Sequence, residues 1–203
     1  MNNTHRSQSD SSPELNDHSL FASRRERRLW IVTLILVVGI YATLGFASML
    51  APLMYNQNVS AVLFLGGMLF VGVTILTQGL TTRPKGFEIG VAIGIAVVYF
   101  MVLFRLTIPE RSHLIEYGVV AVFVFEAFSE RKQSGRFVPY PALLAILTTS
   151  VIGAVDELIQ GVLPSRHFEW TDILFNFLAA LMATTAMVIL RWARSWGKRS
   201  EEV

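Results

Sequence analysis

Cysteine is absent from the 203-residue chain, and charged residues make up only 16% of it. The missing cysteines exclude a disulfide framework, a thiolate metal site and a cysteine nucleophile. The low charge accompanies a hydrophobic fraction of 53% and a mean hydropathy of +0.51. These values lie outside the range of ordinary soluble domains and indicate a membrane protein. We therefore expect membrane lipids as partners and no nucleic acid.

The N-terminal segment 1–28 has few apolar residues. It is rich in Ser, Asn, Asp and Arg. Such a segment buries too little surface to offset its ordering entropy, so it is predicted to be a disordered, polar and basic tail. A secretory signal is not expected, because a long polar stretch precedes the first apolar run and no convincing cleavage site follows that run.

Six long apolar runs follow the tail. They cover residues 29–53, 59–80, 86–108, 113–128, 140–163 and 171–192. Most are close to the roughly 20 residues that a helix needs to cross a ~30 Å hydrocarbon core. Turn-forming residues separate the runs. Because lipid offers no partner for unpaired backbone groups, the runs predict an all-α integral membrane bundle of about six transmembrane helices.

The distribution of Lys and Arg predicts the orientation. If the N-terminus is cytoplasmic, 14 of the 17 basic residues lie on the inner side, and only Arg105, Arg111 and Arg166 lie on the outer side. Positive charge concentrates in cytoplasmic segments. We therefore predict a multi-pass protein of the inner or plasma membrane with both termini cytoplasmic, ending in a basic tail at 193–203.

The segment 155–176, "VDELIQGVLPSRHFEWTDILFN", interrupts this apolar pattern. Asp156, Glu157 and Gln160 share one broad helical face in the outer half of the fifth run. A carboxylate inside a span costs roughly 2.5–3.5 kcal/mol, so these groups are expected to face a polar pocket. The structural alternative is that they cap and bind the loop that contains Arg166.

Two further polar groups of residues lie at the outer ends of neighbouring runs. Asp172 and Asn176, one turn apart, open the sixth run. Asp172 also has a structural interpretation, because an acid at a helix N-terminus caps the helix and interacts favourably with its dipole. His113, Glu116 and Tyr117 share one face at the start of the fourth run. All these groups are predicted to converge on the extracytoplasmic side.

Other features predict packing. Small residues on one face of a helix allow close helix approach. They are Gly86, Gly90 and Gly94 in the third run and Ala179, Ala180 and Ala183 in the sixth. Glu126 is expected to pair with Arg131 or Lys132. The first two runs carry almost no polar groups and are assigned no chemistry.

The polar motifs resemble those of the VanZ-like membrane protein family. "ERSHLIEYG" is followed about 40 residues later by "DELIQGVLPSRHFEWTDILFN", in the order that the family shows. The matching positions are His113, Tyr117, Glu157, Gln160, Pro164, Arg166, Asp172 and Asn176. The resemblance covers residues 86–192 as a four-helix core and leaves 29–85 as a two-helix extension.

This resemblance implies a protein related to a factor associated with low-level teicoplanin resistance, and it implies no known reaction. Teicoplanin acts on peptidoglycan precursors outside the membrane. We therefore expect a site that binds or acts on a cell-envelope lipid or cell-wall precursor. The catalytic candidates are His113, Glu116, Asp156, Glu157 and Asp172. The binding candidates are Arg111, Tyr117, Gln160, Arg166 and Asn176.

Within this hypothesis, the arginines hold an anionic phosphate. Glu157 serves as the general base, with His113 as the acid or electrostatic partner. No cofactor or metal is assigned.

Three alternatives stay open. A small ion-coupled or lipid transporter would use buried acids, although the polar groups cluster at one face and form no path. A metal-dependent enzyme would use His113, Glu116, Glu157 and Asp172 to bind zinc, manganese or iron, without a firm metal-binding spacing. A structural assembly factor is the third. The sequence does not indicate the oligomeric state.

Overall fold

The computed structural model describes residues 20–45, 57–79, 86–106, 108–164 and 168–199. These residues form helices and no strand. The helices are α1 (Arg24–Gly45), α2 (Gln57–Gly79), α3 (Gly86–Arg105), α4 (Ile108–Gln133), α5 (Pro141–Val162) and α6 (Trp170–Arg199). Each coincides with one predicted apolar run, so the all-helical prediction is confirmed for the part of the chain that is described.

Four of these helices contain stretches that are long and apolar enough to cross a membrane. The stretches are Gly86–Arg105, Glu110–Gln133, Pro141–Val162 and Trp170–Trp196. Their lengths of 20 to 27 residues match the thickness of a bilayer core. The fold is therefore a helical membrane bundle.

Helix α4 is the centre of the bundle, in contact with α1, α2, α5 and α6. Of the residues in the most apolar 18-residue stretch of α4, 72% are buried. In the most apolar 18-residue stretch of α3, 17% are buried. Val120, Ala121 and Val122 of α4 are completely buried. Helix α3 packs against α6 and α2 and leaves most of its apolar side chains at the bundle surface.

The predicted small-residue face of α6 lies in the core. Ala179, Ala180 and Ala183 are completely buried, and a Cβ atom on Gly118 of α4 would lie 4.0 Å from the Ala183 Cβ atom. Small side chains on both helices allow this close approach, which confirms the prediction.

The glycine stripe of α3 has no such partner among the described residues. Gly86, Gly90 and Gly94 are exposed, and a Cβ atom on any of them would meet no described atom within 4 Å. The spacing permits a close approach but does not supply a partner helix.

The link between α4 and α5 follows from local chemistry. After Gln133 the chain closes with Gly135 N–H donating to Lys132 O (3.1 Å) and Arg136 N–H to Arg131 O (3.2 Å). This pair of bonds is a Schellman motif, and its left-handed position is taken by Gly135, with φ of 83°. Helix α5 then starts at Pro141, whose fixed φ suits a first helical turn.

An ion-pair network, called here the Arg–Glu network, joins α1, α4 and α6 at the end of α4. Its members are Arg25, Glu26, Glu126, Glu130, Arg131 and Arg191. Buried Glu126 pairs with Arg191 and, at 3.0 Å, with Arg25. The predicted pairing of Glu126 with Arg131 or Lys132 is therefore wrong.

The reason is tertiary: basic residues of two other helices reach the buried face of α4, and Arg131 pairs instead with Glu26 at 3.1 Å. Helix α1 begins at Arg24, inside the segment predicted as a tail, directly after Ser23, whose Oγ atom accepts a cap hydrogen bond from the Glu26 backbone N–H at 3.0 Å. Residues 1–19 of that predicted tail lie outside the described residues.

Candidate functional site

Helix α4 supplies the first part of the site from its N-terminal turns. His113 is 8% exposed and Tyr117, one turn further on, is completely buried. Their rings stack with centroids 6.2 Å apart and an interplanar angle of 15°. Glu116 is partly buried on the same helix. The predicted common face of His113 and Tyr117 is therefore present and turned inward.

Helix α5 supplies two acids joined by an amide. Asp156, Glu157 and Gln160 are 1%, 0% and 4% exposed. The Gln160 Nε2 atom donates to Asp156 Oδ2 at 3.1 Å and to Glu157 Oε1 at 3.0 Å. Because one amide group binds both carboxylates, it holds the two acids side by side and orients them.

Helix α6 closes the site from the third side. Asp172 lies in its first turn, and Asp172 Oδ2 is 3.3 Å from His113 Nε2. Asn176, completely buried and one turn deeper, donates from Nδ2 to the Gly153 carbonyl oxygen at 3.2 Å. Asp172 thus occupies a favourable position at the helix N-terminus and also contacts the histidine.

We use the term polar site for His113, Asp156, Glu157, Gln160 and Asp172. Within it, His113, Asp156 and Glu157 each offer one nitrogen or oxygen ligand atom, and these three atoms lie within 4.8 Å of one another. The three residues come from the fourth and fifth predicted runs, so the helices bring together groups 43 positions apart in the sequence. Glu116 does not belong to this close set.

The two predicted binding arginines differ in position. Arg111 is partly buried, and its Nε atom donates to the Leu106 carbonyl oxygen at 2.8 Å. This bond ties the first turns of α4 to the end of α3. Arg166 lies outside the described residues.

Three contributions to the site were not predicted from the sequence. Tyr41 of α1 donates from its hydroxyl to the Ile152 carbonyl oxygen at 2.7 Å, beside Gly153. Gly153 itself lets Asn176 approach the α5 backbone. The Glu169 backbone N–H donates to Glu157 Oε2 at 3.4 Å. The signal that the sequence offers for Tyr41 is that it is a single tyrosine within an otherwise apolar run.

The chemistry of the site follows from these contacts. Two carboxyl groups, an imidazole and a third carboxyl group can accept and donate protons or hold a cation. The most accessible of the acids is Asp172, whose side chain is 16% exposed, whereas Asp156 and Glu157 are almost fully buried. A reacting or binding group would therefore approach from the side of Asp172 and His113.

Comparison of the chain with family models, with curated proteins and with solved structures gives no match.

Proposed function

We propose that the chain is a VanZ-like multi-pass protein of the inner or plasma membrane. In this proposal the polar site binds or acts on a cell-envelope lipid or a cell-wall precursor on the extracytoplasmic side, and it contributes to teicoplanin resistance. The proposal continues the motif resemblance of residues 86–192, whose polar positions include most of the groups in the site.

The observation that carries the proposal is the convergence of buried and partly buried polar groups from three apolar helices. Asp156 and Glu157 of α5, His113 of α4 and Asp172 of α6 meet at one end of the bundle. Each carboxylate within a membrane-spanning helix costs a few kcal/mol, so a purely structural role is a poor reason for three of them. A binding or reacting group accounts for the cost.

The orientation in the proposal rests on charge. The Arg–Glu network lies near residue 126 of α4, about 20 Å along the helix from His113 at 1.5 Å per residue. Basic residues accumulate on the cytoplasmic side of membrane proteins. With six spans and both termini cytoplasmic, the polar site faces the envelope.

The site residues then have distinct roles. Glu157 is the proton acceptor, and Asp156 and Gln160 orient it. His113, held by Asp172, is the acid or electrostatic partner. The guanidinium groups of Arg111 and Arg166 bind an anionic phosphate of the headgroup.

Antibiotic susceptibility tests this proposal. A teicoplanin-sensitive host would express the wild type, Glu157→Gln, Glu130→Gln or an empty vector, with protein levels in the membrane matched by immunoblot. We expect protection by the wild type and by Glu130→Gln, and none by Glu157→Gln. Glu130→Gln is the matched control because it neutralises an acid of the Arg–Glu network, far from the polar site.

Equal protection by the wild type and Glu157→Gln would retain an envelope role and remove Glu157 from the mechanism. Absence of protection by every variant would contradict the resistance phenotype in that host. A lower membrane level of Glu157→Gln alone at equal induction, before the levels are matched, would favour the structural alternative, in which the acids stabilise the fold.

A further inference from the structure

The close set of His113, Asp156 and Glu157 has the composition of a metal site. Their ligand atoms lie within 4.8 Å of one another, and the residues are 8%, 1% and 0% exposed. A zinc ion with bonds of about 2.1 Å would separate neighbouring ligand atoms by about 3–3.5 Å. Side-chain movements on the order of 1 Å would therefore bring the three atoms to coordination distance.

The imidazole gives an independent indication of a ligand. His113 Nε2 faces Asp172 Oδ2 at 3.3 Å, whereas the buried Nδ1 atom has no hydrogen-bond partner within the described structure. A buried ring nitrogen without a partner is costly. In metal sites one nitrogen of a ligating histidine commonly contacts a carboxylate while the other binds the ion, and Asp172 is the carboxylate in that position.

The carboxylates are also oriented as ligands are. Gln160 donates to one oxygen of Asp156 and one of Glu157, and the Glu169 backbone N–H donates to the second oxygen of Glu157. These hydrogen bonds from outside the close set fix both carboxyl groups, as outer-shell contacts fix metal ligands.

The charges of the site also favour a bound cation. Among the described residues, neither Glu157 nor Asp172 forms an ion pair with a lysine or an arginine, and Asp172 Oδ2 faces His113 Nε2 at 3.3 Å. Buried negative charges require a compensating positive charge, and a divalent cation supplies it at the required place.

We infer that His113, Asp156 and Glu157 bind one divalent transition-metal ion, with Asp172 and Gln160 orienting the ligands. One nitrogen and two carboxylate oxygens favour Zn²⁺ or Mn²⁺ over Ca²⁺ and Mg²⁺, which take oxygen ligands. The sequence suggests Glu116 and Asp172 as ligands beside His113 and Glu157. In the structure Asp156 takes the place of Glu116, and Asp172 contacts His113 and orients it. The inference does not depend on the lipid proposed above; in the metal-bound protein Glu157 and His113 are ligands, and these roles replace the proton-transfer roles proposed for them above.

Metal uptake by the purified full-length protein tests the inference. The tag is removed, the protein is stripped with a chelator in detergent, and Zn²⁺ or Mn²⁺ is added at micromolar concentration. We expect about one ion per chain by elemental analysis, with Ca²⁺ and Mg²⁺ failing to compete at about a hundredfold excess. In the Mn²⁺ form, pulsed electron paramagnetic resonance should show coupling to one imidazole nitrogen.

Variants locate the ion. His113→Gln and Glu157→Gln should lower the affinity at least a hundredfold, whereas Gln160→Leu, which removes an orienting group, should lower it about 10–100-fold. His18→Gln, the same change in the N-terminal segment, is the matched control and should bind as the wild type does.

Two results would overturn the inference without reference to any variant's stability. One is uptake below about 0.1 ion per chain by the stripped wild type. The other is bound Mn²⁺ without imidazole coupling. Unchanged affinity in His113→Gln would overturn it as well. Metal binding without protection against teicoplanin would contradict only the proposed function, and protection without metal binding would contradict only this inference.

Discussion

The side-chain amide of Asn176 lies directly against the backbone of Gly153. Asn176 Nδ2 donates to the Gly153 carbonyl oxygen at 3.2 Å, and a Cβ atom on Gly153 would lie 2.6 Å from the Asn176 Cβ atom. Real Cβ atoms do not approach so closely, so position 153 requires glycine as long as Asn176 is in place. One turn after this contact come Asp156 and Glu157, so the contact sets the position of the acids relative to α6.

Replacing Gly153 with alanine is therefore expected to destabilise the bundle. Because Asn176 is completely buried between packed helices and cannot withdraw, we expect a loss of about 1–3 kcal/mol, typical of overpacking. The measurement is the thermal midpoint of the detergent-solubilised protein, followed by fluorescence-detected size exclusion.

Gly94→Ala is the matched control. A Cβ atom there meets no described atom within 4 Å, so this change is expected to leave the midpoint equal or slightly higher, since alanine favours helix. Similar midpoints for Gly153→Ala and Gly94→Ala would contradict the close contact between Gly153 and Asn176.

Tyr41→Phe should loosen the attachment of α1 near the polar site. The change removes the 2.7 Å hydrogen bond to the Ile152 carbonyl oxygen and keeps the ring. We expect a loss of about 0.5–1.5 kcal/mol, measured by the same thermal assay. Tyr140→Phe is the comparison. Tyr140 is 69% exposed in the α4–α5 link, so removal of its hydroxyl group should have no measurable effect on the thermal midpoint. Equal effects at both positions would show that the Tyr41 hydroxyl does not stabilise the fold.

Glu126→Gln should weaken the Arg–Glu network more than Glu130→Gln does. Glu126 is 2% exposed and pairs with arginines of two helices, α1 and α6, whereas Glu130 is more exposed and binds the α1 segment alone. We expect a loss of about 1–3 kcal/mol for Glu126→Gln, below the 3–5 kcal/mol of a fully buried pair because Arg25 is half exposed.

The coupling of this network is measured with a double-mutant cycle. Arg191→Gln combined with Glu126→Gln should cost less than the sum of the single changes, because each single change already breaks the shared contact. Strict additivity, or a larger effect of Glu130→Gln, would contradict the assignment of Glu126 as the centre of the network.

The sequence predicts the helices well because hydropathy is a local property. Every apolar run contains a helix, and the one-turn spacing of His113 and Tyr117 correctly predicts a shared face. Small residues are less informative: the α6 alanines pack against α4, while a Cβ atom on the α3 glycines would meet no described atom within 4 Å. The same spacing occurs in both, so the difference is set by which helices are neighbours.

The composition of the site is similarly only half predictable. Asp156, Glu157 and Gln160 are recognisable because charges in an apolar run are costly. The sequence does not predict which of the polar residues lie close together, because this depends on the rotation and the depth of each helix. Asp156 lies near His113 in the close set, whereas Glu116 does not belong to that set. Tyr41 and Glu126 show the same limit, since their partners lie 111 and 65 or more residues away in the sequence.

The proposed orientation can be measured directly because the chain contains no cysteine. Trp170, 78% exposed at the start of α6, and Phe137, 92% exposed in the α4–α5 link, accept single-cysteine replacements without loss of a buried contact. In intact cells a membrane-impermeant maleimide should label Trp170→Cys and leave Phe137→Cys unlabelled. After permeabilisation both should react, which controls for reactivity.

Leu20→Cys, 80% exposed ahead of α1, should behave as Phe137→Cys does because both segments are predicted to be cytoplasmic. The opposite result, with Phe137→Cys and Leu20→Cys labelled in intact cells and Trp170→Cys unlabelled, would show that the polar site faces the cytoplasm. It would contradict an extracytoplasmic substrate and leave the inferred metal site unaffected.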